Sequence, residues 1–361
     1  MDPLININGR QIGLGKPVYI IAELSANHNQ DFDQAIKIIH AAKEAGADAI
    51  KLQTYTADTL TIKSDSEYFR IGGGTLWDNR TLHDLYQEAY TPWEWQPKLK
   101  KIAEDLKLDF FSSAFDETAV DFLEKMNVPV HKVASFEIVD ISLIEKMART
   151  GKPLIISTGM ATDSEIEEAI EAAQNAGAKQ IALLKCTSAY PALPEEMNLK
   201  AIPYLSKKFN LPIGLSDHTM DFEIASIAVA LGACIVEKHF TLSRSIPGPD
   251  SAFSLEPEEF KSLVCAIRTT EKALGKPELE LNEREQKSQV FRRSLFVVKD
   301  IKSGEFFSQE NVRSIRPGYG LPPKYLKSIL NLHAKQDIKA GTPLKWEHIT
   351  EQNAAFKMIQ K

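Results

Sequence analysis

From Val18 to about Gly275 the chain alternates eight times between a short apolar, β-rich run and a longer stretch of helical period. The runs occupy residues 18–23, 47–53, 108–113, 129–134, 153–157, 180–185, 212–216 and 233–238. Helix-ending glycines (Gly46, Gly151, Gly177 and Gly232) stand just before four of them. Eight strands buried on both faces, each followed by a helix, specify a closed parallel (β/α)8 (TIM) barrel of the α/β class. A doubly wound open sheet is the runner-up, but it needs fewer strands and a phosphate-binding glycine loop.

Two departures from this rhythm divide the chain. Residues 54–95 make the second βα connection far longer than an ordinary loop. It carries Ile71-Gly-Gly-Gly-Thr75 and an aromatic-rich run from Trp77 to Trp95. Without a following Gly-Lys-Ser/Thr the glycines are no phosphate loop, and a lid or substrate-shaping role is expected. After Gly275 the composition turns charged, so 1–275 is expected as the barrel, 276–291 as a linker and 292–361 as a small β-rich domain. That small domain holds two similar turn-forming segments, Asp300-Ile-Lys-Ser-Gly304 and Asp337-Ile-Lys-Ala-Gly341.

A net charge of −6 argues against a nucleic-acid partner, which needs a basic face. No apolar run reaches membrane-spanning length, and the first residues lack a signal-peptide pattern, so a soluble cytoplasmic protein is expected. Cys186, Cys234 and Cys265 form no CxxC pair; each lies in an apolar stretch and is expected to be a buried free thiol.

Barrel chemistry collects at the C-terminal strand ends. Those ends present Glu23; Lys51 with Gln53; Ser113; Lys132 with Ser135 and Glu137; Ser157; Lys185 with Tyr190; Asp217 with His218; and Lys238 with His239. So many polar ends around one core argue for a site, because unpaired polar groups there are costly. Lys51, Lys132 and Lys185 with Ser113, Ser135 and Ser157 suit a compact, multiply charged anion such as a phosphate ester. A Schiff-base aldolase is the sharp alternative, favoured by a single lysine in an apolar setting. His218 and His239, at equivalent strand ends, suit a shared divalent metal. His28 is a weaker ligand candidate that could instead bind substrate or cap a helix. Glu23 and Glu137 suit proton transfer or water positioning.

The strings Glu23-Leu-Ser-Ala-Asn-His-Asn29, Lys51-Leu-Gln-Thr54, Ser157-Thr-Gly-Met160, Gly214-Leu-Ser-Asp-His-Thr219, Glu237-Lys-His-Phe-Thr241 and Pro247-Gly-Pro-Asp250 resemble the sialic acid synthase family. The small domain, with Arg316-Pro-Gly-Tyr-Gly320, resembles that family's antifreeze-like (SAF) domain. The resemblance implies condensation of phosphoenolpyruvate with an acylamino sugar. Phosphoenolpyruvate would be held by Lys51, Ser113, Lys132, Ser135 and Ser157, with Ser188 as an addition. His218 and His239 would hold Mn2+, with Mg2+ or Co2+ as alternatives. Gln53, Glu137, Tyr190 and Asp250 would face the sugar. It also implies a domain-swapped homodimer in which Arg316 reaches the second copy's barrel and the sugar's acyl group.

The run from Gly74 to Trp95 resembles the family's pseudaminate branch, which uses 2,4-diacetamido-2,4,6-trideoxy-altrose. Lys185-Cys-Thr-Ser188 departs from the His-Cys-Thr-Asn of the neuraminate branch in the same direction. Aromatic surface from the insertion would suit a deoxy sugar's methyl group. N-acetylneuraminate and legionaminate synthesis are the alternatives. An ice-binding role for the small domain is disfavoured by its heavy charge, including Lys299, Asp300, Lys302, Glu305 and Arg313.

Overall fold

The structure is a computed structural model that describes residues 3–350; the last eleven residues of the expected small domain lie outside the described range. The chain divides into two compact units, 1–275 and 276–361.

In the first unit an antiparallel hairpin of β1 (Leu4–Ile7) and β2 (Arg10–Gly13) precedes the barrel. The barrel strands are β3 (Tyr19–Glu23), β4 (Ala49–Thr54), β5 (Asp109–Ala114), β6 (His131–Val133), β7 (Leu154–Ser157), β8 (Ile181–Cys186), β9 (Ile213–Asp217) and β10 (Ile235–His239). All pair in parallel, and β10 pairs with β3 to close the ring. The strands run apolar end to end because helices cover the outside while the barrel fills the inside. Ile20, Ile50, Phe110 and Val236 pack outward with helix residues such as Ile38, Leu99 and Phe260.

Helix boundaries follow local chemistry. Asp31 accepts hydrogen bonds from the backbone N–H of Asp33 and Gln34 to start Phe32–Ala45, and Gly46 ends that helix at φ 95°. Thr162 and Glu165 form a reciprocal capping box on Asp163–Asn175. No helix among the described residues is long and apolar enough to cross a membrane.

The insertion has its own structure. Short helices at Ala57–Leu60 and Leu82–Ala89 flank a bridge between Arg70 and Thr81. Between them the Asp78 carboxylate accepts from Gly74 N at 2.9 Å, Thr75 N at 2.9 Å and the Thr75 hydroxyl at 2.8 Å. The glycine triplet is therefore a turn wrapped around Asp78.

In the second unit a short helix, Glu283–Ser288, occupies part of the expected linker. Beyond it, β11 (Ser294–Val297) pairs antiparallel with β12 (Val312–Ile315) over a core that includes Leu295, Phe307, Ile329 and Leu344. The two similar turn segments pair with each other. Ile301 and Ile338 exchange backbone bonds of 2.9 and 2.8 Å, Lys302 meets Asp337 at 2.8 Å, and Lys339 meets Asp300 at 2.7 Å. This reciprocal exchange explains why the same residues recur at both places.

Candidate active site

Strand register decides which side chains meet. His239 on β10 lies opposite Glu23 on β3, and Glu23 opposite Lys51 on β4. One step up, Gln53 pairs with Ser113 on β5, and Ser113 with Lys132 on β6. Neighbours in register on a parallel sheet point to one face, so all six side chains enter the barrel.

They form a continuous polar network. Lys51 Nζ stands 2.7 Å from Glu23 Oε2 and 3.7 Å from Glu237 Oε2, and donates to Ser113 Oγ at 3.2 Å. Gln53 Nε2 donates to Glu23 Oε1 at 3.1 Å and to Ser25 Oγ at 2.9 Å; the Ser25 hydroxyl in turn donates to Asp250. Lys132 Nζ donates to Ser157 Oγ at 2.6 Å and to Val133 O at 2.7 Å. In the loops above, Ser188 Oγ donates to Ser135 Oγ at 3.0 Å. Gly159 makes room there, since at φ 49° a Cβ on it would lie 2.6 Å from Ser135 Cβ.

Burial sets the electrostatics. It pushes the Glu23 carboxyl up to about 7, with Lys51 opposing the rise. Burial opposes charge on Glu237 too, but Lys51, Lys132 and the Ser216 hydroxyl hold it below the usual carboxylate range. Burial likewise opposes charge on Lys51, and Glu23 and Glu237 outweigh it, so Lys51 stays above the ordinary lysine value. Lys132 is pushed down by burial and has no carboxylate within 4.0 Å among the described residues, so a bound anion would favour its charged form. Burial also raises Glu137 to about 7; its Oε2 is buried and accepts no hydrogen bond.

The two histidines meet at the barrel mouth with ring centroids 5.4 Å apart. His218 Nδ1 bonds Thr187 O at 2.8 Å, which fixes the tautomer with a lone pair on Nε2. Burial keeps His239 well below the ordinary imidazole value, hence neutral, and its buried Nδ1 has no hydrogen-bond partner. Burial opposes charge on His218 too, but Cys186, the Thr187 carbonyl and Asp217 raise it above the ordinary imidazole value, so a metal bound by both rings would displace a proton from His218. No three His, Cys, Asp or Glu side chains converge as a metal cage among the described residues. Two imidazoles alone would leave the other coordination positions to water and substrate.

Tyr190 covers this pair, its ring 4.4 Å from His218 and 6.4 Å from His239. Trp77, from the insertion, packs on Tyr190 at 5.8 Å and Phe253 at 6.2 Å, and its Nε1 donates to Pro249 O at 2.9 Å. The insertion thus roofs the barrel mouth.

Several sequence expectations need correction. Lys185 stands opposite Leu215, whereas its neighbour Cys186 stands opposite Ser216; the residue facing the interior there is Cys186. Asp217 and Lys238, also expected in the ring, form a fully buried outward-facing ion pair at 2.9 Å. His28 is buried with both ring nitrogens engaged within the chain, to Thr91 Oγ1 at 3.1 Å and Gln30 N at 3.0 Å, which anchors the insertion's return. Burial lowers it to about 4. Cys265 is exposed. Glu237 and Ser216, bonded at 3.0 Å, were missed; the period-2 rule would have found Glu237, because it shares the inner face with His239 while Lys238 cannot. Arg316 belongs to the second unit, where it lines a concavity of about 620 Å³ with Arg293 and Arg313.

A closed parallel barrel whose interior gathers two lysines, three carboxylates and two histidines defines an enzyme that handles an anionic substrate. Residues 38–278 match the NeuB family and residues 292–350 the SAF domain. The chain is 49% identical over 330 residues to the pseudaminic acid synthase of Campylobacter jejuni subsp. jejuni serotype O:2, covering 91% of this chain and 96% of that protein. It is 38% identical over 351 residues to the N,N'-diacetyllegionaminic acid synthase of Legionella pneumophila, covering 95% and 98%. The crystal structure of the N-acetylneuraminic acid (sialic acid) synthetase of Leptospira borgpetersenii superposes with a TM-score of 0.72 at 34% identity, covering 80% of this chain and 95% of that one. The chain belongs to the NeuB family, with a SAF domain following the barrel.

Proposed function

We propose that the protein is a pseudaminate-forming transferase that condenses phosphoenolpyruvate with 2,4-diacetamido-2,4,6-trideoxy-altrose and water, releasing phosphate. The supporting observation is the pairing of an anion cradle with an aromatic roof. Lys51, Lys132, Ser113 and Ser157 present cations and hydroxyls inside the barrel, and Trp77, Tyr190 and Phe253 close its mouth. Ser135 and Ser188 extend the cradle, while Gln53, Asp250 and Tyr190 face the sugar.

On this reading the enol carbon of phosphoenolpyruvate attacks the aldehyde carbon of the open-chain sugar. Water then adds at the carbon bearing phosphate, and the C–O bond to phosphate breaks. Lys51 and Lys132 stabilise the phosphate charge as it develops. Glu23, about half ionised near pH 7, positions or deprotonates a reacting group. Glu137, with a similar midpoint, is the second proton-transfer candidate. His218 and His239 would hold a divalent metal, Mn2+ by preference, whose chemistry is to polarise a carbonyl oxygen as a Lewis acid.

We also assign the working form as a domain-swapped homodimer in which Arg316 serves the second copy's barrel and its sugar acyl group. The exposed Arg316 makes no ion pair within 4.0 Å among the described residues, which leaves it free for such a contact. Mass spectrometry of the product formed from the altrose and phosphoenolpyruvate, labelled with 18O at the bridging oxygen, tests the reaction. The label should leave with phosphate; label retained in the sugar acid would refute C–O cleavage.

A further inference from the structure

The sequence groups Lys185 with Lys51 and Lys132 as an anion-binding candidate, yet the β8 register turns it to the barrel's outer side. There it borders a cavity of about 700 Å³ between the strand ends and the helices Asp163–Asn175 and Ala201–Phe209. That volume lies within the range of small-molecule pockets, roughly 300–1,000 Å³.

The charge arrangement of this cavity is unusual. Lys185 is only 9% exposed, and no carboxylate lies within 4.0 Å of it among the described residues. Its Nζ donates to the Thr187 hydroxyl and to Cys186 O, which occupy two of its three protons. Lys51 has Glu23 at 2.7 Å and Lys238 has Asp217 at 2.9 Å, whereas Lys132, in the anion cradle, shares with Lys185 the lack of a carboxylate partner among the described residues. The two acids on the cavity wall are already engaged. Asp163 accepts from the Tyr204 hydroxyl and from Lys208 Nζ at 2.7 Å, and Glu196 accepts from Leu193 N at 2.8 Å. A second cation, Lys200, also borders the cavity, beside apolar Met160, Ile166 and Leu205. A nearly buried ammonium without a counter-charge is costly, and an anion arriving in the cavity removes that cost.

We propose that this cavity is a second anion site, adjoining the catalytic cradle and sharing Ser188 with it at one edge, which takes a small carboxylate- or phosphate-bearing molecule against Lys185 and Lys200. Ser188 and Cys186 also line it. The Ser188 bond to Ser135 connects it to the cradle. The site itself does not depend on which sugar the enzyme uses. Only the identification of the cradle as the first anion site rests on the proposed reaction.

The test is calorimetric titration of the full chain, without substrates, using inorganic phosphate and, separately, glycolate as a phosphate-free carboxylate. Wild type should bind two phosphate ions per chain, or one phosphate and one glycolate. Lys132→Met should lose the cradle event and keep the other. Lys185→Met should lose the outer event and keep the cradle, and Lys200→Gln, at an exposed position, should weaken the outer event at least fivefold without affecting folding. Loss of phosphate or of glycolate in Lys185→Met identifies which group the site reads. A single event abolished by Lys132→Met, or Lys185→Met and Lys200→Gln variants indistinguishable from wild type with both anions, would overturn the proposal. Because no turnover is measured, a wrong sugar assignment leaves this result unaffected.

Discussion

The ammonium of Lys51 stands 2.7 Å from the carboxylate of Glu23, and neither side chain is more than 5% exposed. Glu237 lies 3.7 Å from the same ammonium, so one buried cation serves two buried acids. This asymmetry separates chemistry from stability in the two obvious variants. Glu23→Gln keeps the bond from Gln53 and leaves Lys51 with Glu237, so it should fold normally while kcat falls about 10²- to 10⁴-fold. Lys51→Met leaves two acids without their cation and should also lose about 3–5 kcal/mol of stability. Turnover at the wild-type rate in Glu23→Gln would remove Glu23 from the chemistry.

Glu137 supplies a pH signature. Its folded value is raised to about 7 from an ordinary 4.5 because burial disfavours the charge. Between those values the folded chain holds a proton that the unfolded chain has released. The stabilisation from that proton is full below about 4.5 and is lost as pH rises toward 7. Glu137→Gln removes this dependence. Urea unfolding should show the variant gaining on wild type by on the order of 2–3 kcal/mol between pH 5 and pH 8; a difference that stays flat with pH would contradict the assignment.

Trp77 carries the insertion's contact with the site through Tyr190, Phe253 and Pro249. Trp77→Ala should spare the KM for phosphoenolpyruvate and reduce the preference for a deoxy sugar over N-acetylmannosamine. The reduction in the kcat/KM ratio should be about 10- to 100-fold, the range available from one apolar contact. An unchanged ratio would mean that the roof does not read the sugar.

How much of this was visible in the chain differs by feature. The eight strands were legible because both-face burial leaves an uninterrupted apolar run, and each ended within two residues of its expected end. Hairpin β1–β2 was not recognised, being short and half polar. At the site, residue type and position near a strand end were visible, but the face was not assigned. Lys185, Asp217 and Lys238 were therefore counted inward, and Glu237 was overlooked. Parity along each strand would have corrected all four. The pairing of Asp300–Gly304 with Asp337–Gly341 is a long-range contact; the repeat showed the similarity without showing that the copies touch.

The metal proposed at His218 and His239 predicts metal dependence. Chelation should abolish turnover and added Mn2+ should restore it. His239→Ala should bind Mn2+ at least tenfold more weakly, which electron paramagnetic resonance of free Mn2+ reads directly. Tight Mn2+ binding in a His218→Ala, His239→Ala double variant would place the metal elsewhere.

The most direct measurement is phosphate release from phosphoenolpyruvate with Mn2+ and three sugars in parallel: the diacetamido-trideoxy-altrose, the corresponding mannose epimer that leads to legionaminate, and N-acetylmannosamine. A pseudaminate-forming enzyme releases phosphate with the altrose and gives at most a few per cent of that rate with the others. Release with either of the other sugars alone, or with none at verified metal occupancy, would contradict the assignment.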